Sequence, residues 1–231
     1  MTAYLAFPSP AHLRRNSEQF VAAIESKTKD SQVNIMTSIM NDFTDEILKV
    51  FFIDMVTLMK LSPFMEKVVL GSVGTIKKTV HSVSGTVIKK LDNPQMIPLA
   101  NYMRGVMLNA PGESGPDSPY VGFPLKDDVH ARLVAVMAKM RAGDPKKHAL
   151  EFSSVMIEIT DLAVEHYLNM PIKLLNLGLI LRKLSEGGMS VIQGATHMVI
   201  RKLTPDLEGP QLLIVAEYLE KMILIDPKLH K

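Results

Sequence analysis

Tyr120-Val121-Gly122-Phe123-Pro124 closely matches an earlier stretch of the same chain, Tyr4-Leu5-Ala6-Phe7-Pro8. Each copy precedes a helical pattern, and the second copy directly follows a segment rich in Pro, Gly and Ser at 109–119. Because proline disfavours helical geometry at the residue before it, both copies are predicted to be extended lead-ins. The second copy is therefore predicted to open the second half of a duplicated chain. Gly122 stands where the first copy has Ala6, so a backbone conformation reserved for glycine is not predicted there.

Two further echoes occur in the same order and support the duplication. Residues 40–45 match residues 156–161 with a shift of 116, the same shift that separates the two lead-ins. Residues 87–91 match residues 199–203 with a shift of 112. The changing shift predicts small insertions between two repeats that are related like the subunits of a two-fold dimer.

Frequent helix-start signals and a helical period dominate both halves. Pairs such as Ser62-Pro63 and Asp144-Pro145 combine a good N-cap residue with a proline suited to the first turn. Between such pairs, apolar residues recur every three or four positions, which is the helical period. Helices are predicted at 10–27, 33–61, 63–91 and 94–108, and then at 126–141, 145–169, 171–202 (broken at 187–188) and 205–225.

The predicted fold class is all-α, a helical bundle built from two tandem, pseudo-two-fold related repeats of about four helices each. Repeat 1 covers residues 1–115 and repeat 2 covers residues 116–231, packed as a single body. One segment also fits a strand, because residues 79–89 are rich in Val, Thr and Ser. The apolar residues of this segment follow a heptad-like spacing, which favours helix.

Composition excludes several classes of function. The chain carries 26 basic and 24 acidic residues, a near balance that argues against a dedicated nucleic-acid binder. It has no cysteine, which excludes disulfides, thiolate metal sites and cysteine nucleophiles. Neither a signal peptide nor a transmembrane segment is recognisable, so a cytoplasmic protein is the expectation.

The methionine content suggests the leading hypothesis. Sixteen methionines are a high number for 231 residues, and methionine suits both irregular cores and adaptable binding surfaces. Glycines on the third helices either allow close helix packing or leave room for a ligand. The hypothesis is a non-enzymatic protein that binds an apolar, lipid-like small molecule or a partner helix. Its candidate ligand-binding residues are Asp54, Met55, Met59, Gly71, Gly74, His166, Met170 and Gly178.

A carboxylate and an imidazole give the alternative hypothesis of an enzyme. Asp54 and His166 lie on apolar faces of the second helix of each half, and their separation of 112 falls within the range of shifts between the halves. Buried together, they could perform acid-base chemistry, with Glu165 as a further candidate. The plainer interpretation is that each is a buried polar residue satisfied by its neighbours.

Acidic residues on the second helices could in principle hold a metal. Glu158, Asp161 and Glu165 share one face, and Asp42 and Asp45 repeat the first two positions. These carboxylates lie off the apolar face, and no histidine has a glutamate three residues before it. A solvated, salt-bridged face is therefore predicted, with no metal and no cofactor.

Dibasic pairs recur on the third helices and could bind an acidic partner, although solvated flanks are the commoner explanation. The apolar third helix could also support homo-oligomerisation, as a structural or adaptor module. Catalytic signatures such as GxSxG, HExxH and the phosphate-binding loop are missing. The candidate anion-binding residues are Lys77, Lys78, Lys89, Lys90, Arg182, Lys183, Arg201 and Lys202.

Overall fold

The computed structural model describes residues 1–113 and 115–229, and within them the chain is mostly helical with one sheet. The strands are β1 (Ala3–Pro8), β2 (Met107–Gly112), β3 (Gly115–Pro124), β4 (Ile223–Ile225) and β5 (Lys228–Leu229). Four helices lie in the first half: α1 (Ala11–Glu25), α2 (Val33–Leu48, continuing through a π-helical turn Lys49–Ile53 into Asp54–Met59), α3 (Pro63–Ile88) and α4 (Asn93–Val106). Four lie in the second half: α5 (Asp127–Ala142), α6 (Ala149–Val164, continuing through a π-helical turn Glu165–Asn169 into Met170–Leu174), α7 (Leu179–Asp206) and α8 (Gly209–Lys221).

The five strands form one antiparallel sheet, curved into half a barrel, in the order β4-β1-β3-β2-β5. Its centre is the pairing of the two matching stretches, with Ala6 opposite Gly122 and Leu5 opposite Phe123. Side chains alternate along a strand, so Phe7 and Phe123 point to the same face and are buried in the core. The lead-ins are extended as predicted, and in addition they pair with each other.

The sheet corrects the all-α prediction. The Pro-, Gly- and Ser-rich segment at 109–119 belongs to β2 and β3, apart from the turn residue Glu113 and from Ser114, which lies outside the described residues. The helix predicted at 94–108 ends at Val106, because Met107 begins β2. Strand β1 pairs with β3 and with β4, which lie more than 100 residues away in the chain. Because this pairing depends on distant segments, the sequence of so short a strand does not by itself indicate a sheet.

The helical predictions are mostly confirmed, with two boundary corrections in the second half. The stretch at 79–89 is helical, since α3 runs to Ile88. The helix predicted at 171–202 breaks at 175–178, and α7 passes through Gly187 and Gly188 without interruption. The helix predicted at 205–225 is shorter: Pro205 lies at the end of α7, the last helix runs from Gly209 to Lys221, and residues 223–225 form β4.

Several helical elements of the first half start 116 residues before an element of the second half, in the same order. This holds for Ala11 and Asp127, for Lys49 and Glu165, for Pro63 and Leu179, and for Asn93 and Gly209. One hydrophobic cluster contains residues of both halves, so the halves share a core. In the part of the chain that the structure describes, no helix combines the length and apolarity that a membrane crossing needs.

Candidate functional site

A large cavity lies between the second and third helices of the two halves. It encloses about 180 Å3 and is lined mainly by α2, α3, α6 and α7. We call it the main cavity. Its walls include Met55, Phe51, Ile159 and Val199, and none of the described residues that line it is charged. Its size is comparable with that of an engineered apolar cavity of ~150 Å3 that stays dry and binds benzene.

The few polar side chains in the wall of the main cavity mostly have partners of their own. The hydroxyls of Thr44, Thr160 and Thr196 donate to the carbonyl oxygens of the residues four positions earlier, at 2.6, 2.9 and 2.9 Å. This back-bonding removes their donors from the cavity. The phenol of Tyr167 differs: its hydroxyl is buried and has no hydrogen-bonding partner among the described residues.

Two smaller cavities adjoin the main cavity. Cavity 2 encloses about 70 Å3 and cavity 3 about 80 Å3. Met40 and Tyr167 line all three, so these two side chains lie where the cavities meet. Methionine changes rotamer easily, which makes Met40 a deformable partition. Cavity 3 is also lined by Tyr102 and His166.

An aromatic cluster holds the Tyr167 ring in place. The ring is edge-on to Phe43, with centroids 4.8 Å apart, and edge-on to Phe123, with centroids 5.3 Å apart. Phe123 also stacks on His166 at 5.6 Å. In the first half, Phe7 meets Phe51 edge-on in the same way, at 6.2 Å. Tyr167 therefore has an additional hydroxyl where the first half has the phenyl ring of Phe51.

A tyrosine of the fourth helix of each half binds the π-helical turn of the other half. The Tyr102 hydroxyl of α4 donates to the carbonyl of His166 at 2.8 Å, and the Tyr218 hydroxyl of α8 donates to the carbonyl of Val50 at 3.1 Å. A π turn departs from the regular helical hydrogen-bond pattern, so its carbonyls are natural acceptors for side chains. These contacts fix α4 and α8 across the cavity-forming helices.

We expect Tyr102→Phe and Tyr218→Phe each to lower the free energy of unfolding by about 1 kcal/mol. Each change removes one hydroxyl and leaves a carbonyl without its side-chain donor. Urea unfolding followed by circular dichroism would measure the loss. The two values should be similar because the two contacts are alike, and wild-type stability in both variants would contradict the prediction.

The predicted ligand-binding residues fall in different places. Met55 and Met59 line the main cavity, and His166 lines cavity 3. Gly71, Gly74 and Gly178 line none of these cavities, and an added Cβ at each would meet nothing within 4 Å. Met170 is partly exposed, with its sulfur 3.7 Å from the Tyr102 hydroxyl.

Asp54 and His166, the pair in the enzyme hypothesis, have separate partners. Asp54 lies just after the first π turn, 3.6 Å from the ammonium of Lys49. His166 lies within the second π turn, with Nδ1 3.3 Å from the Tyr102 hydroxyl. Among the described residues, no hydrogen bond or ion pair links Asp54 to His166.

Burial and local partners set the protonation of the groups near His166. Burial lowers the pKa of His166, which favours the neutral imidazole, and burial raises the pKa of Tyr102 to about 12. Asn169 and Lys173 bond Glu165 and hold its pKa below the usual range. Glu165 is thus an ionised, paired carboxylate.

The other carboxylates of the second helices also have local partners. Glu158 pairs with Arg132. Asp161 accepts from His197 at 2.8 Å and from Gln193 at 3.1 Å, which joins α6 to α7. The first half has similar contacts, since Asp45 lies 2.8 Å from Lys77 and 3.8 Å from His81. Within the described residues no three His, Asp or Glu side chains form a group that could hold a metal ion.

The predicted anion-binding residues lie on the surface of α3 and α7 or just after α3. Lys77 pairs with Asp45, and the other seven are exposed. Exposed apolar side chains accompany them on α7, at Ile180, Leu184 and Val191. An anionic partner and self-association through the third helix remain predictions.

Sequence reasoning missed Tyr167 and Tyr102. Tyr102 and Tyr218 are 116 residues apart, so the shift that relates the two lead-ins could have singled them out. Tyr167 aligns with Phe51 at the same shift, which marks a position where only one half has a hydroxyl. The shift of 112 that relates residues 87–91 to residues 199–203 aligns neither Tyr102 with Tyr218 nor Phe51 with Tyr167.

Comparison of the chain with protein-family models, with curated proteins and with solved structures gave no match. A fold class by itself identifies no function. The inference of function therefore depends on the chemistry of the cavities.

Proposed function

We propose that this protein is a non-enzymatic binding protein whose main cavity holds an apolar small molecule. The observation that carries the proposal is a cavity of about 180 Å3 with no charged residue in its walls. Ligand sites are typically concave and mostly apolar, with few polar groups that fix orientation. Release of water from apolar surface supplies the affinity, because three of the four threonine hydroxyls of the wall are already bonded within their helices.

We further propose that the chain is a duplicated unit of four helices with a flanking strand at each end, related by a pseudo-two-fold axis near Ala6 and Gly122. The constant spacing of 116 between corresponding elements supports it. So do the reciprocal contacts of Tyr102 and Tyr218 with the opposite π turns. In this arrangement the main cavity lies between the halves, as a ligand site lies at the interface of a symmetric dimer.

Filling the main cavity should abolish binding. Ala163 lines it, so Ala163→Phe places a ring into the space that the ligand would occupy. We expect binding of the neutral apolar fluorophore 1-aminoanthracene to weaken at least roughly 10-fold, the factor that 1.4 kcal/mol of lost contact represents. Fluorescence titration measures the affinity, and thermal unfolding checks that the variant folds.

Ala135→Phe is the matched control, because Ala135 lies on the exposed surface of α5 and lines none of the cavities. Its affinity for the fluorophore should equal that of the wild-type protein. If the wild-type protein does not bind the fluorophore, or if Ala163→Phe binds it equally well, the proposal is wrong.

The enzyme hypothesis finds less support. It needs a base within hydrogen-bonding reach of a substrate in a pocket, and Asp54 lines none of the three cavities. His166 reaches cavity 3, but its imidazole lies next to the Tyr102 hydroxyl, and among the described residues no carboxylate forms a hydrogen bond or an ion pair with it. Binding therefore remains the function that the geometry supports best.

A further inference from the structure

The Tyr167 hydroxyl distinguishes the site from a purely apolar cavity. The side chain is buried, and the oxygen lacks a hydrogen-bonding partner among the described residues. A buried hydroxyl without a partner typically costs about 1–3 kcal/mol, so native structures rarely retain one without a reason. Phe51 occupies the corresponding place in the first half, so packing alone does not demand the hydroxyl.

The position of Tyr167 brings its side chain into the walls of the cavities. Tyr167 lines the main cavity and cavity 3, and Phe43 and Phe123 hold its ring edge-on. Tyr102 and His166 line cavity 3 as well, so two further polar side chains lie on this side. Along the main cavity, the walls away from Tyr167 carry no charge.

We propose that the ligand is a neutral molecule with an apolar body in the main cavity and a single hydrogen-bond acceptor that receives the Tyr167 hydroxyl. A ketone, ester or ether oxygen has the required chemistry. This inference depends on the proposed function, because it specifies the ligand class of the same site.

A neutral acceptor suits the site better than a carboxylate. Among the described residues, no lysine or arginine lines any of the three cavities. Burial lowers the pKa of His166 and raises the pKa of Tyr167, so both side chains are neutral near neutral pH. A carboxylate in these cavities would be buried without a cationic partner, which costs several kcal/mol. A neutral carbonyl incurs a much smaller desolvation cost and gains the bond to Tyr167.

Three probes of similar size and different polar groups test the ligand class. They are hexylbenzene, hexanophenone, which has a ketone beside the ring, and 6-phenylhexanoate, which is an anion. Displacement of 1-aminoanthracene measures their affinities for the wild-type protein. We expect hexanophenone to bind roughly 10-fold more tightly than hexylbenzene, the factor for one hydrogen bond of about 1.4 kcal/mol. The anion should bind at least roughly 10-fold more weakly than the ketone.

Tyr167→Phe should remove the preference for the ketone. The ring and its packing remain, so hexylbenzene should bind as in the wild type while hexanophenone loses roughly 10-fold. Tyr218→Phe is the matched control, because it deletes a phenolic hydroxyl that lines none of the three cavities. It should leave both affinities unchanged. In the infrared spectrum, the carbonyl stretch of bound hexanophenone should shift to lower frequency in the wild type and not in Tyr167→Phe.

The outcomes separate the two proposals. If no probe binds the wild-type protein, the proposed function itself is wrong. If hexylbenzene binds, and hexanophenone binds equally well to the wild type and to Tyr167→Phe, the cavity binds ligands but the role of Tyr167 is refuted. Tighter binding of 6-phenylhexanoate than of hexanophenone would also overturn the inference, because it would require a cation that the cavity walls lack.

Discussion

Replacing Phe123 by alanine is expected to lower the free energy of unfolding by about 3–5 kcal/mol, the range for truncating a fully buried phenylalanine. Phe123 is 0% exposed. Its ring contacts His166 and Tyr167, so it joins the central strand to the second π turn. The surrounding β-strand and helix cannot collapse fully into the space, and a cavity adds to the lost transfer energy.

Phe64→Ala is the matched control for this prediction. It makes the same chemical change at a side chain that is 72% exposed, and we expect a stability change within about 0.5 kcal/mol. Equilibrium unfolding in guanidinium chloride measures both variants. A similar, small loss in both would show that Phe123 does not carry the packing assigned to it.

Replacing Gly122 by alanine is expected to cost about 2–3 kcal/mol, because the new methyl group has no space. A Cβ at this position would lie 2.5 Å from the Cβ of Ala6, 2.8 Å from the carbonyl oxygen of Leu5 and 2.9 Å from a methyl carbon of Leu108. The first two atoms belong to the paired strand β1, which cannot move away without loss of its hydrogen bonds. Chemical unfolding would measure the loss.

A second substitution makes the Gly122 prediction specific. In the double variant Ala6→Gly with Gly122→Ala, the closest clashing atom is absent, so part of the lost stability should return. Gly71→Ala, in an exposed helical position with open space around it, should instead raise stability by up to about 1 kcal/mol. Gly122→Ala with wild-type stability, or a double variant less stable than Gly122→Ala, would refute the packing argument.

The two sites of these predictions are adjacent in the stretch that pairs the halves. Gly122 allows the two central strands to approach, and Phe123 connects those strands to the helix that presents Tyr167. The Phe123 side chain therefore contributes both to the stability of the sheet and to the position of Tyr167 in the cavity wall. We expect Phe123→Ala to make the Tyr167 ring less well ordered and so to reduce the preference for hexanophenone over hexylbenzene.

The candidate site could be predicted from the sequence only in part. Met55 and Met59 were identified because the high methionine content suggests an adaptable interior, and both line the main cavity. The glycines of the predicted third helices were candidates because a glycine can leave room for a ligand between helices. A Cβ added at Gly71 or Gly178 would meet no atom within 4 Å, so neither glycine lies against a neighbouring helix. A glycine leaves usable space only where another helix packs against it. Which helix does so is set by tertiary packing between segments that are distant in the chain.

The sequence alone determined the helices, because capping signals and the 3.6-residue period are local properties that need no knowledge of distant contacts. Tertiary structure alone decided the sheet, since a six-residue strand such as β1 becomes a strand by pairing with segments more than 100 residues away. Local sequence effects and tertiary contacts both shape the stretch Tyr120–Pro124. Its extended shape follows from a local proline effect, and its glycine requires no special backbone angle. Gly122 excludes a side chain because Ala6 lies opposite it across the strand pair, and Tyr167 lies in the cavity wall, with no hydrogen-bonding partner for its hydroxyl among the described residues, because helices distant in the chain meet there.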